Sequence, residues 1–149
     1  MKIFHMIGNY AKKISDIVPA SGVLLLGRIA IFFVFWRSVQ TKIDGLNVFG
    51  QNFAFWNITD STIMLFEYEY GLPLPTVMAY LGTFGEFFLS LGIIFGFLTR
   101  LSALGLIIMT GVIQFVYPEA WTTHILWVGI LFYLLKEGGG DLALDRILK

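Results

Sequence analysis

Five strongly polar side chains stand out within mostly apolar stretches of the chain: Arg28, Arg37, Glu86, Gln114 and His124. A charged or polar side chain surrounded by hydrocarbon is costly, so each must pair, face other helices or reach water. Glutamate and histidine can exchange protons near neutral pH, which makes them typical of proton-linked or quinone-type ligand sites. The five residues therefore predict a polar pocket that opens toward the outer side of a membrane.

Arg28 and Glu86 each lie near the middle of an apolar stretch. At about 100° per residue on a helix, Glu86 shares one face with several glycines, and a glycine-lined face is expected to pack against other helices. An ion pair between Arg28 and Glu86 near the bilayer centre would satisfy both charges, and we predict it. The role of the pair stays open, because an ion pair of this kind can equally bind a ligand or hold the helices in register.

The other three polar residues are open to simpler interpretations. His124 lies about one turn inside its segment and is more typical of a structural histidine. Gln114 suits an interhelical hydrogen bond. Arg37 lies at the outer end of the first apolar stretch and opposite Arg28 on that helix, so its side chain can extend to the interface.

Several classes of chemistry are excluded by what the sequence lacks. Without cysteine there is no disulfide, thiolate catalysis or iron–sulfur cluster. A membrane haem with two histidine ligands would need a partner for His124, and His5 falls on the other side. Protease and hydrolase motifs are absent, and ten basic residues balance ten acidic ones, which argues against nucleic-acid binding. We predict no catalytic residue, no metal site and no intrinsic cofactor.

The elements that position these residues follow from composition. The chain is 57% hydrophobic and 13% charged, whereas soluble domains carry about 25% charged residues. Four apolar stretches cover residues 20–40, 75–98, 101–117 and 121–136, and the short connections between the last three require antiparallel neighbours. The sequence predicts an all-α membrane protein, a single domain over residues 1–149 that forms an antiparallel bundle of four transmembrane helices.

The distribution of basic residues predicts the orientation. Only Arg37 and Lys42 fall on one side of the four stretches, and the other side carries Lys2, Lys12, Lys13, Arg100, Lys136, Arg146 and Lys149. By the positive-inside rule, both termini are cytoplasmic. An aromatic belt is expected at the outer boundary from Trp36, Tyr117 and Trp121.

Three segments outside the four stretches also carry structural signals. Residues 1–18 have the spacing of an amphipathic helix that lies on the inner leaflet. Residues 61–70 predict a short outer helix with Asp60 as its N-cap, preceded by an aromatic stretch that either packs at the interface or forms a lid. Near the C-terminus, Asp141 is the expected N-cap of another short helix.

Several of these features together resemble the DoxX-type membrane proteins. They are Arg28 with Lys42 shortly after the first stretch, LPLP before the second, Glu86 followed by GIIFGFLTR, and GGGDLALD after the fourth. The resemblance implies a four-helix protein of the bacterial or archaeal cytoplasmic membrane. The family is named for a subunit associated with a terminal quinol oxidase, and some relatives are linked to thiol or oxidative-stress complexes. Arg28, Glu86 and Arg100 match its basic and acidic positions, whereas the C-terminal run lacks the proline and serine of a GPGxxSLD-like ending.

We therefore expect a non-catalytic accessory subunit of a membrane redox system, either a quinol oxidase or an oxidative-stress complex, with a pocket for a quinone or another small ligand. Its expected partners are the lipid bilayer, redox subunits and a second copy of the chain. Two alternatives remain from the sequence. One is a small-solute or ion transporter in which the Arg28–Glu86 pair opens and reforms, and the other is a scaffold or chaperone for a partner membrane protein.

Overall fold

The computed structural model describes residues 1–148 and is mostly helical; Lys149, one of the basic residues behind the predicted orientation, lies outside the described residues. Its elements, in chain order, are α1 (Lys2–Ile17), α2 (Ala20–Gln40), β1 (Asn47–Val48), β2 (Gln51–Asn52), α3 (Asp60–Met64), a π-helical segment (Leu65–Glu69), α4 (Pro75–Phe95), α5 (Thr99–Val116), a 3₁₀ turn (Pro118–Ala120), α6 (Trp121–Glu137) and α7 (Leu144–Ile147).

Helices α2, α4, α5 and α6 pack together as a bundle. Helix α5 packs against both α4 and α6, and α2 closes the bundle by contacting α4 and α6. Helices α2, α4 and α5 are long and apolar enough to cross a membrane. Helix α6 has 17 residues, which is at the short end for a span.

The connection between α4 and α5 depends on a glycine. Gly96 adopts the left-handed conformation, with φ of 66°, and ends α4 at Phe95. Its neighbour Phe97 donates its backbone N–H to the Gly92 carbonyl across the turn, as in a Schellman cap. The turn therefore lies three residues earlier than the predicted one at Thr99 and Arg100, and α5 already begins at Thr99.

Two apolar clusters fill the bundle. The larger cluster joins all four helices and contains Leu24, Ile31, Phe35, Ile93, Ala103, Leu106, Leu131 and Leu134. The second lies between α2, α4 and the segment that follows α2, and it contains Trp36, Val39, Ile43, Ile58 and Phe87. Trp36 is only 6% exposed and donates its indole N–H to Gln51, 2.8 Å away. The expectation that Trp36 belongs to an aromatic belt is therefore wrong, because its indole is buried beneath the β1–β2 hairpin.

The long segment after α2 is structured, as expected. The aromatic stretch contains the hairpin of β1 and β2, and Phe53 and Phe55 pack against the second cluster. The helix predicted at residues 61–70 begins at Asp60 but its second half is π-helical, and its N-cap is Thr59, whose side chain accepts from the Thr62 N–H. The predicted cap at Asp60 was therefore wrong by one residue.

The two ends of the chain differ in whether they pack against the bundle. Helix α1 contains no buried residue, so its apolar face is left uncovered by the rest of the chain. The C-terminal segment packs against the bundle, where Ala143 is buried beside Gly96. Asp141 does not cap α7, because that helix starts at Leu144 with Ala143 as its N-cap, and Asp141 instead pairs with Arg146.

Gly96→Ala should destabilise the protein strongly. A Cβ at Gly96 would overlap Ala143 and lie 2.9 Å from Arg28 Cζ, and alanine disfavours a positive φ. We expect a loss of about 2 kcal/mol or more in the free energy of unfolding, measured in detergent. Gly111→Ala is the matched control, because a Cβ there meets nothing within 4 Å. Equal stability of the two variants would contradict the packing described around Gly96.

Candidate functional site

Arg28 is buried at the end of the bundle where α4 stops. It is 2% exposed, and its guanidinium donates to four backbone carbonyls on two separate segments. Nε donates to Ile93 O at 2.8 Å and Nη2 to Ile94 O at 2.5 Å, while Nη1 donates to Gly139 O at 3.1 Å and Leu142 O at 3.0 Å. Arg28 therefore ties the last turn of α4 to the segment that follows α6.

The predicted Arg28–Glu86 ion pair is wrong. Arg28 reaches Ile93 and Ile94, and Glu86 lies seven residues before Ile93, which is about 10 Å along a helix. The carbonyls of a final helical turn have no partner within the helix and carry the negative end of its dipole. Together with the nearby Asp145 carboxylate, these carbonyls satisfy the cation, so Arg28 has no need of Glu86.

Glu86 pairs instead with Lys42. The Lys42 Nζ lies 2.8 Å from Glu86 Oε2, and the two side chains are 9% and 5% exposed. Nζ also donates to the Ser38 carbonyl at 3.3 Å and to the Ser38 hydroxyl. Lys42 follows the end of α2, and its side chain folds back by one turn, so all three ammonium protons have partners inside the protein.

The sequence contained a signal for this pair that the prediction did not use. Lys42 lies beyond the first apolar stretch and was used only as an outer charge and as a feature of the family resemblance, not as a partner of Glu86. Because Ser38 and Lys42 are four residues apart, however, they fall on the same side of a helical turn. A long lysine side chain at such a position can reach back toward the bundle while its backbone stays at the boundary.

A cavity of about 240 Å³ adjoins the Lys42–Glu86 pair. Its polar side is formed by Ser38, Lys42, Tyr70, Glu86 and Tyr117, and its apolar side by Val34, Phe35, Leu65, Ile113 and Trp127. All four bundle helices contribute to it, and the π-helical segment with Tyr70 covers one side. A compact amphipathic cavity of this kind suits a small ring-shaped ligand with polar substituents.

Two tyrosines connect the cavity with the π-helical segment. Burial raises the pKa of Tyr70 to about 12, and the Glu86 and Glu69 carboxylates add to that shift, so its hydroxyl stays protonated at neutral pH. Tyr117, at the end of α5, donates its hydroxyl to Glu69 on the π-helical segment. The ring centroids of Tyr70 and Tyr117 are 6.2 Å apart. The Tyr117–Glu69 hydrogen bond fixes the π-helical segment against the end of α5.

The remaining predicted residues lie outside the cavity wall. His124 is buried, its Nδ1 lies 2.6 Å from Gln114 Oε1, and its ring packs 5.0 Å from that of Trp127. His124 and Gln114 therefore lie behind a cavity-lining tryptophan. Arg37 is exposed and forms no hydrogen bond or ion pair with residues 1–148.

No cluster of three or more histidine or acidic side chains in the described part of the chain could hold a metal ion. The polar groups that a ligand in the cavity could use include the Glu86 carboxylate and the Tyr70 hydroxyl.

The DoxX family model matches residues 23–119, a range that includes Arg28, Lys42 and Glu86. An uncharacterized protein of Haemophilus influenzae is 30% identical over 138 residues, which cover 87% of this chain and 85% of the relative. No solved structure matches the chain at a significant level.

A double-mutant cycle distinguishes the two possible partners of Glu86. We expect Lys42→Met and Glu86→Gln to be coupled by about 1 kcal/mol or more, because each single change leaves a buried partner uncompensated. Arg28→Gln and Glu86→Gln should be additive within about 0.5 kcal/mol, because they share no contact. Both cycles are measured as free energies of unfolding in detergent. Strong coupling of Arg28 to Glu86, with none for Lys42, would refute the pairing described.

Proposed function

Because the chain belongs to the DoxX family of membrane proteins, we propose that it is a four-span accessory subunit of a membrane redox system and that its cavity binds a quinone-type ligand. Both termini lie in the cytoplasm in this proposal, and the cavity opens on the outer side of a bacterial or archaeal cytoplasmic membrane. The observation that carries the proposal is the amphipathic cavity beside the buried Lys42–Glu86 pair.

The four-span topology is supported by helix packing and charge. Helix α6 packs along α5 and α2 as a full member of the bundle, although it is shorter than they are. Leu131 and Leu134 of α6 are fully buried in the shared core, which a helix lying flat on a membrane surface would not allow. The exposed apolar face of α1 then lies in the inner leaflet, where Lys12 and Lys13 meet anionic lipid.

Single cysteines test this topology without background, because the chain has no native cysteine. We expect a membrane-impermeant maleimide to label Ser61→Cys in intact cells and to label Glu137→Cys only after permeabilisation. Both native side chains are exposed, so access depends on sidedness. Labelling of both positions from outside would mean that α6 does not cross, and the reverse pattern would mean the opposite orientation.

A quinone-type ligand fits the chemistry of the cavity. A flat ring can pack against Phe35 and Trp127, while its oxygens reach the side that holds Tyr70 and Glu86. The volume of about 240 Å³ suits a head group better than a larger cofactor. A ligand of this class would also supply the redox chemistry that the chain's own side chains lack, in keeping with an accessory role beside partner subunits.

Transport is less well supported than binding. The larger apolar cluster lies between the cavity and the Arg28 end of the bundle, and Ile31, Phe35, Ile93, Leu106 and Leu131 are at most 1% exposed. A polar solute leaving the cavity toward that end would have to separate these side chains. The close packing therefore favours a ligand that enters and leaves on the cavity's own side.

A scaffold that uses its glycine-lined α4 face is also less well supported. Side chains of the same molecule already occupy that face: Phe66 lies over Gly82, Met109 over Gly85 and Ser102 over Gly92. These glycines serve the chain's own packing, so they leave no groove for a partner helix.

Mass spectrometry of the organic extract from gently purified protein tests the ligand proposal. We expect quinone in near-stoichiometric amount, compared with a membrane protein of similar size from the same cells, and at least about a tenfold loss in Glu86→Gln. Arg37→Gln is the control, since Arg37 is exposed and outside the cavity. Background lipid alone in the wild-type extract would reject the quinone-type ligand.

A further inference from the structure

The Lys42–Glu86 pair leaves one hydrogen-bonding group unused. Glu86 Oε2 accepts from Lys42, whereas Glu86 Oε1 accepts no hydrogen bond from residues 1–148. The three protons of the Lys42 ammonium are directed to Glu86 and to two atoms of Ser38. Toward a ligand in the cavity, the pair therefore presents a carboxylate acceptor and no spare ammonium donor.

The Tyr70 hydroxyl does not favour either a donating or an accepting ligand. It lines the same cavity and makes no hydrogen bond within the described part of the chain. A protonated phenol both donates and accepts. Tyr70 can therefore serve a ligand carbonyl and a ligand hydroxyl alike, and it gives no preference between them.

A ligand that brings only acceptors would leave Glu86 Oε1 without a partner. When a ligand fills the cavity, a carboxylate oxygen that faces a ligand carbonyl oxygen loses its hydration and meets another lone pair. A ligand hydroxyl would instead donate to that oxygen in a charge-assisted hydrogen bond, which is among the stronger kinds.

We infer that the cavity selects the reduced, hydroxyl-bearing form of its ligand over the oxidised, carbonyl-bearing form, with Glu86 Oε1 as the acceptor that discriminates. This inference rests on the proposed function and specifies it further. A subunit with this preference holds the quinol until a partner subunit oxidises it.

Two redox-inert probes isolate the hydroxyl. 4-Heptylphenol and its methyl ether, 4-heptylanisole, share the ring and tail and differ in the O–H donor. Titration of the detergent-solubilised wild-type chain, followed by tryptophan fluorescence because Trp127 lines the cavity, gives both affinities. We expect the phenol to bind at least about tenfold more tightly, as befits one hydrogen bond to a charged acceptor.

Variants assign the preference to Glu86. In Lys42→Met/Glu86→Gln, which removes both charges together, we expect the preference to fall to about threefold or less, because the glutamine amide can also donate to the ether oxygen. Tyr70→Phe should weaken both probes and keep their ratio near the wild-type value. If the double variant does not fold, equal affinities in the wild type, or a preference lost in Tyr70→Phe, would still overturn the inference.

The possible results distinguish a failure of this inference from a failure of the proposed function. Saturable binding of both probes with equal affinity would overturn the selection of the reduced form and leave the cavity as a ligand site. A wild-type preference that persists in the double variant would place the discriminating acceptor elsewhere and also overturn the inference. Failure of both probes to bind saturably would reject the ligand site itself.

Discussion

Burial of charge among apolar helices is the constraint on which the rest of this structure depends. A cation or carboxylate held away from water must find its partners inside the protein. The chain meets this requirement in two different ways. Arg28 uses backbone carbonyls at one end of the bundle, and Lys42 uses Glu86 at the level of the cavity. The first arrangement holds the guanidinium on four backbone carbonyls, whereas the second leaves a carboxylate oxygen for a ligand.

The Arg28 end of the bundle is built for stability. Arg28 binds the last turn of α4, and Asp145 accepts hydrogen bonds from the backbone N–H groups of Leu98 and Thr99 at the start of α5. A cation thus meets a helix C-terminus and a carboxylate meets a helix N-terminus, both favourable for the helix dipoles. The GGGDLALD run therefore has a structural role despite its departure from the family ending, and its glycines allow the close approach of Thr99 to Gly139 and of Leu24 to Gly140.

Composition and periodicity were sufficient to predict the bundle helices, because each is a long apolar stretch bounded by glycine, proline or a polar turn. The partner of Glu86 could not be predicted in the same way. Two central charges of opposite sign suggested each other, yet helix register places Arg28 beside Ile93, and backbone acceptors give no signal in a sequence. Trp36 was misplaced for a related reason, since its burial depends on a hairpin that lies fifteen residues away.

The most direct measurement is the distance between the lysine side-chain nitrogen and the glutamate carboxyl carbon, by ¹⁵N–¹³C dipolar recoupling on protein labelled at those atoms in lipid bilayers. We expect strong dephasing from a pair in direct contact, lost in Lys42→Met and retained in Arg28→Gln. The weaker exposed contact of Lys136 with Glu137, at 3.9 Å, is removed from the signal by Lys136→Gln. Dephasing that survives Lys42→Met, or that disappears in Arg28→Gln, would contradict the separation of the two buried charges.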